Sequence, residues 1–220
     1  MDVFEKIAER DELLKLYCKD VEWLLRIGSS LHPEWFKEES DIDYMIVLPV
    51  LTEGFVLNFP LRISPELSVS GVKKSDNFFW RIECAPILAH RVTVTCYTTA
   101  RFLRYVEDRS PPKMYVLHEN LLLAGNGAAL DDLRDEFPPD SRTARQDRAG
   151  LVDPKYHHRF LWAWRSVCVC RENGRWLRNK REIAQWVHEH YPGLLANEKA
   201  LLVALDGEIA AAEARQSRGL

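Results

Sequence analysis

The chain has 220 residues, 46% of them hydrophobic and 29% charged. Such a composition supports one large domain or two small ones with real cores, and it excludes a disordered chain. A net charge of −3 gives no strong field for long nucleic acid, and no apolar run is long enough to span a bilayer, so neither is an expected partner.

The N-terminal stretch carries apolar residues at Val3, Phe4, Ile7, Leu13, Leu14 and Tyr17, a spacing that predicts a helix over 2–19. It is too charged for a signal peptide. The five cysteines, Cys18, Cys84, Cys96, Cys168 and Cys170, lack the paired spacing of a disulfide framework, which points to a reducing cytoplasm. Cys168 and Cys170 sit two apart in a helical pattern, face different ways, and read as packing residues.

"EWLLRIGSS" reads as a short strand ending in a small-residue turn, and "DIDYMIVLPV" as a strand stopped by Pro49. "GFVLNFPLRI" is either strand or irregular. "DNFFWRIECAPIL" and "HRVTVTCYT" carry the aromatic and β-branched residues of two further strands. A hairpin between them is plausible from the short "APILA" separation, although no Gly or Asn supplies the turn. "TTARFLRYVED" follows with a Thr cap and helical spacing. "MYVLHENLLLAGNG" and "AALDDLRDEF" read as helices.

Residues 138–154 are polar and almost free of large apolar side chains, as in an exposed loop or linker. Beyond them "KYHHRFLWAWRSVCVCREN", "NKREIAQWVHEHY" and "NEKALLVALDGEIAAAEARQS" are helical in pattern. The order predicts an α+β protein: a mixed β-sheet with flanking helices over 1–137, a linker over 138–154, and an α-helical bundle over 155–220.

The stretch with the most chemistry is "RIGSSLHPEWFKEESDIDYMIV", residues 26–47. On a strand, positions i and i+2 share a face. Asp41 and Asp43 therefore project together, while Ile42, Tyr44 and Ile46 turn to the core. Two carboxylates held close repel and raise each other's pKa, and a divalent cation relieves them. Mg²⁺ takes one or two carboxylates and completes its shell with water and phosphate oxygens. A Gly28-Ser29 turn nearby offers backbone N–H groups and a hydroxyl to a phosphate, with no Cβ in the way at Gly28. The combination describes a metal–triphosphate site, with Mg²⁺ on Asp41 and Asp43, phosphates on Gly28 and Ser29, and in-line displacement at phosphorus.

These residues resemble the nucleotidyltransferase superfamily that shares the DNA polymerase β palm. The match is Gly28, Ser29, Ser40, Asp41, Ile42 and Asp43. The C-terminal segment is similar to the helical domain of bacterial aminoglycoside adenylyltransferases, at Leu161, Arg165, Gly174, Lys180, Ala184 and Trp186. The resemblance implies a palm followed by a helical domain. It also implies transfer of a nucleoside monophosphate from Mg-bound ATP or another NTP to a hydroxyl of a small acceptor such as an aminoglycoside-like antibiotic. Arg165 and Lys180 are then candidates for triphosphate contacts.

Active members carry a third carboxylate on a later strand. The matching position here is Arg91 in one register and Thr93 in the other. Glu83, on the preceding predicted strand, is the nearest acidic replacement as a third catalytic acid beside Asp41 and Asp43. The loop also departs from the family, with Pro33 and Trp35 where a small residue and an Arg-Gly are usual. The alternative is a degenerate member that binds a nucleotide or a protein partner as a regulator or antitoxin-like module. His157, His158, His188 and His190 read as surface or helix-end residues, and Trp162, Trp164 and Trp186 as core. Trp176, in the Gly174 turn, is a candidate for stacking on a sugar or base.

Overall fold

The structure is a computed structural model and describes residues 2–55, 58, 71–76, 79–151, 160–171, 177, 180–194 and 197–218. It divides into two compact units: Met1–Tyr105 with Val116–Arg134, and Val106–Tyr115 with Asp135–Leu220.

In the first unit, α1 (Val3–Tyr17) leads to β1 (Trp23–Ile27), two short 3₁₀ turns (Gly28–Leu31 and Pro33–Trp35) and β2 (Ile42–Leu48). Then come β3 (Gly71–Asp76), β4 (Phe79–Ile87), β5 (His90–Thr98), α2 (Thr99–Glu107), whose last residues from Val106 belong to the second unit, α3 (Pro111–His118), which belongs to the second unit up to Tyr115, β6 (Asn120–Gly125) and α4 (Gly127–Glu136), which belongs to the first unit up to Arg134. The sheet has six strands in the order β3-β4-β5-β2-β1-β6. Only β2 and β5 pair in parallel; the other neighbours are antiparallel. The central strand β2 is buried on both faces beyond its first residues, which explains its continuous Met45–Leu48 apolar run. One face of the sheet packs Ile42, Tyr44 and Ile46 against Ile7 and Leu14 of α1. On the opposite face Trp23 meets Phe102 of α2, with ring centres 5.8 Å apart.

Several elements differ from expectation. The 114–127 stretch is not one helix. The Asn120 side chain donates to the carbonyls of Val116 (2.7 Å) and Leu117 (3.1 Å), capping α3, and the Leu-rich run that follows is strand β6 beside β1. Gly125 closes that strand with φ +109, where an added Cβ would lie 2.0 Å from the Glu22 carbonyl oxygen, so only glycine fits. Strand β3, Lys-rich and polar, escaped the sequence pattern; charged residues of that kind suit a sheet edge. The hairpin between β4 and β5 forms as expected, and Leu88 takes the left-handed conformation (φ +54) that glycine would ordinarily supply. Of "GFVLNFPLRI", residues 56, 57 and 59–63 lie outside the described residues.

The second unit contains α5 (Ser141–Gly150), α6 (Phe160–Arg171), α7 (Lys180–His190) and α8 (Glu198–Ser217). Helix α5 corrects the expected 138–154 linker over most of its length. Its polarity misleads because it needs few apolar contacts. Asp140 caps it by accepting from the backbone N–H groups of Arg142 (3.0 Å) and Thr143 (3.2 Å), while Thr143, Ala144 and Asp147 are buried. Its outer face is tied to α8 by Arg145–Glu213 and Arg148–Asp206 pairs. The bundle core holds Trp164, Trp186, Ile183, Leu201 and Leu205, and no helix among the described residues is long and apolar enough to cross a membrane.

Candidate functional site

The site grows from the end of β1. Gly28 turns the chain with φ +77, and a Cβ built there would meet the Asp43 Oδ2 atom at 3.6 Å. The glycine therefore leaves its backbone facing a carboxylate with no side chain between them. Ser29 Oγ donates to the Asp41 carbonyl at 3.3 Å, tying the turn to the start of β2. Gly28, Ser29, Asp41 and Asp43, singled out in the sequence, thus lie together.

A buried network holds the turn from behind. Arg26 donates from Nη1 to the Ser30 carbonyl (2.6 Å), and its Nε lies 3.2 Å from Asp11 Oδ2. Tyr44 OH donates to Asp11 Oδ1 at 2.8 Å. Burial raises the Asp11 carboxyl above its ordinary value, with the Tyr44 hydrogen bond and Arg26 pulling it back. His32 Nε2 lies 2.8 Å from Glu119 Oε1 and ties the loop that follows the turn to the residue preceding β6.

Strand register sets what faces Asp43. Ile27, Asp43, Thr93 and Glu83 form one row across β1, β2, β5 and β4. Arg91 stands two residues earlier on β5 and pairs with Asp41, donating from Nε to Oδ1 at 3.2 Å and from Nη2 to Oδ2. Burial, then the Asp41 charge, pushes the Asp43 carboxyl upward, against the pull of Arg81 and Arg91. Thr93 is buried and accepts from Arg81 Nη2 at 3.5 Å.

Glu83 lies on the same face as Asp43 but two strands away, about 10 Å between backbones at ordinary strand spacing. Among the described residues no group of three or more His, Cys, Asp or Glu is arranged to hold a metal. Asp41 and Asp43 remain a two-carboxylate set. That set suits Mg²⁺ carried by a triphosphate, which supplies its own oxygens, better than a bare ion. The open backbone at Gly28, facing Asp43, leaves room for such a guest.

Arg165 is buried in α6, with its guanidinium 5.0 Å from the centre of the Tyr115 ring. Tyr115 OH donates to Asp147 and lies 3.1 Å from the Trp162 carbonyl oxygen. Lys180 opens α7; its side chain lies outside the described residues, as do Gly174, Trp176, His157 and His158. His190 donates from Nδ1 to the Trp186 carbonyl at 2.8 Å, an ordinary helix-end contact. Cys168 is buried and Cys170 half-buried, in keeping with packing roles. The sequence reading missed Arg81 and Arg26. Arg81 stands two residues before Glu83, so the alternation of the strand was the available signal.

No protein-family model matches the chain, and no curated protein matches it. Several solved structures are similar to it, among them these three. A spectinomycin adenyltransferase from Enterococcus faecialis, with ATP and spectinomycin, is 17% identical at a TM-score of 0.45, over 94% of this chain and 90% of that one. Cid1, with RNA terminal uridylyl transferase activity, is 18% identical at a TM-score of 0.35, over 53% of this chain and 40% of that one. A nucleotidyltransferase-like protein from Exiguobacterium sibiricum is 10% identical at a TM-score of 0.33, over 91% of this chain and 73% of that one.

Proposed function

We propose that the chain is a nucleotidyltransferase-superfamily protein that binds an NTP at the Gly28–Ser29 turn and transfers its nucleoside monophosphate to a hydroxyl of a small acceptor. The observation that supports this most is the placement of a positive-φ glycine directly against Asp43, with Asp41 on the same face. Backbone N–H groups at Gly28 and Ser29 would cradle phosphate oxygens. Asp41 and Asp43 would hold Mg²⁺, which neutralises charge on the phosphates as the bond to the leaving pyrophosphate breaks. The acceptor oxygen forms the new bond to phosphorus, and its proton passes to a base, for which Glu83 is the candidate on this face. Arg165 and Lys180 are proposed as triphosphate contacts on the family resemblance alone.

A second reading, binding without turnover, is favoured by two observations. Thr93 rather than an acid stands opposite Asp43, and Arg91 is bonded to Asp41. Thermal unfolding with ATP, GTP, CTP and UTP, with and without Mg²⁺, tests the shared part. Ligand at a hundred times its Kd adds about 2.7 kcal/mol of stability. No shift with any NTP removes both readings. A shift without pyrophosphate release on any of a panel of hydroxylated acceptors favours the binder.

A further inference from the structure

Asp41 and Arg91 face each other where the parallel strands β2 and β5 enter the sheet, one step before the Ile42–Val92 pair. The pairing is two-pronged: Nε donates to Oδ1 and Nη2 to Oδ2, so both carboxylate oxygens are engaged. An arginine fork is matched to a carboxylate in this geometry. The Arg91 side chain is 53% exposed and that of Asp41 35%, so the guanidinium can swing away through water without unpacking the core. Exposed ion pairs are weak, which makes the pairing reversible. Arg91 also lies within electrostatic reach of Asp43 and Glu83. It shares that acidic face with Arg81, which also pulls on Asp43, but Arg91 is the one bonded to Asp41. Arg81, by contrast, bonds Thr93 on that face.

We propose that Arg91 is a tethered cation that holds Asp41 when no nucleotide is bound, releases it when a triphosphate arrives with its divalent ion, and then passes its guanidinium to the phosphates. This rests on the triphosphate reading of the site. The exchange keeps the charge on Asp41 balanced in both states. It makes the isolated protein a poor binder of bare metal, and it couples metal capture to nucleotide capture. It also gives a use to a basic residue bonded to one member of the acidic pair.

The test is Mn²⁺ titration of the intact chain by electron paramagnetic resonance, without nucleotide, with circular dichroism to verify folding. Arg91→Ala and Arg91→Gln should bind Mn²⁺ about fivefold more tightly than the parent, the fold-change expected for loss of one exposed competing pair. Arg81→Ala removes an equal charge from the same face and should gain clearly less. In an Asp41→Asn background the Arg91→Ala gain should vanish. Calorimetry with Mg-ATP should move the other way, with Arg91→Ala binding several-fold more weakly because the phosphates lose a charged donor. An Arg91→Ala Mn²⁺ affinity within twofold of the parent overturns the exchange. So does an Arg81→Ala gain of equal size, which would mean the field matters and not the bond. If the parent shows a Mg-NTP shift but Arg91 has no effect, only the exchange fails. If no NTP binds the parent, the triphosphate reading falls and the exchange with it.

Discussion

Replacing Gly28 by alanine perturbs the turn at the centre of the candidate site. At φ +77 the backbone lies in the left-handed region, where a side chain costs about 1–2 kcal/mol. Alanine also restricts the unfolded chain, which offsets up to about 1 kcal/mol. The built Cβ lies 3.6 Å from Asp43 Oδ2, an ordinary contact, so no steric penalty is added. The net expectation is a loss of about 1 kcal/mol, or about 2–4 °C in Tm for a chain of this size. Urea denaturation followed by tryptophan fluorescence measures it. Gly28→Asn is the control, since asparagine tolerates the left-handed region. The methyl group would also stand between the turn and Asp43, so the Mg-NTP thermal shift should shrink in both variants. Parent-like stability in Gly28→Ala refutes the conformational requirement. An equal loss in Gly28→Asn moves the cause from φ to space beside Asp43.

Asp43 has a folded-state pKa above the ordinary carboxylate value of 3.8, so its contribution to stability is full below that value and is lost as pH rises through the raised pKa. Asp43→Asn should therefore stabilise the chain at pH 7.5, because the amide carries no charge to bury and none for Asp41 to repel. The gain should fade as the pH falls toward 3, while the NTP shift is lost at neutral pH. Denaturation at the two pH values checks the sign, and a variant less stable at pH 7.5 would contradict it. Arg26→Met leaves Asp11 buried without its cation and frees the Ser30 carbonyl; a loss of about 3–5 kcal/mol is expected by urea denaturation. A loss below about 1 kcal/mol would show that the network does not hold the turn. Leu88 has φ +54 at the first central position of the β4–β5 turn, the place glycine takes in a type II′ hairpin, and its side chain is 60% exposed. Leu88→Gly should raise stability by about 0.5–1 kcal/mol in the same assay, and a loss would argue for an apolar contact at Leu88.

Local order was largely written in the sequence. The strand at Ile42–Leu48, the helix at Thr99–Glu107 and the bundle helices follow from periodicity and caps that need no distant partner. The Gly28-Ser29 turn and the shared face of Asp41 and Asp43 were legible for the same reason, since turn chemistry and strand alternation are local properties. Elements stabilised by distant residues were not. Strand β6 looked helical because its pairing with β1 is a contact across about a hundred residues, as in the Trp23 Nε1 bond to the Asn126 carbonyl. Helix α5 looked like a linker because its partners, Asp206 and Glu213, lie far along the chain. The identity of the residue facing Asp43 also depended on register. A shift of two along β5 would exchange Thr93 for Arg91, and sequence alone left both open. Only the assembled sheet put Thr93 opposite Asp43, Arg91 on Asp41, and Glu83 one strand further out, because hydrogen-bond pairing between strands, not the order of residues within one, fixes which side chains meet.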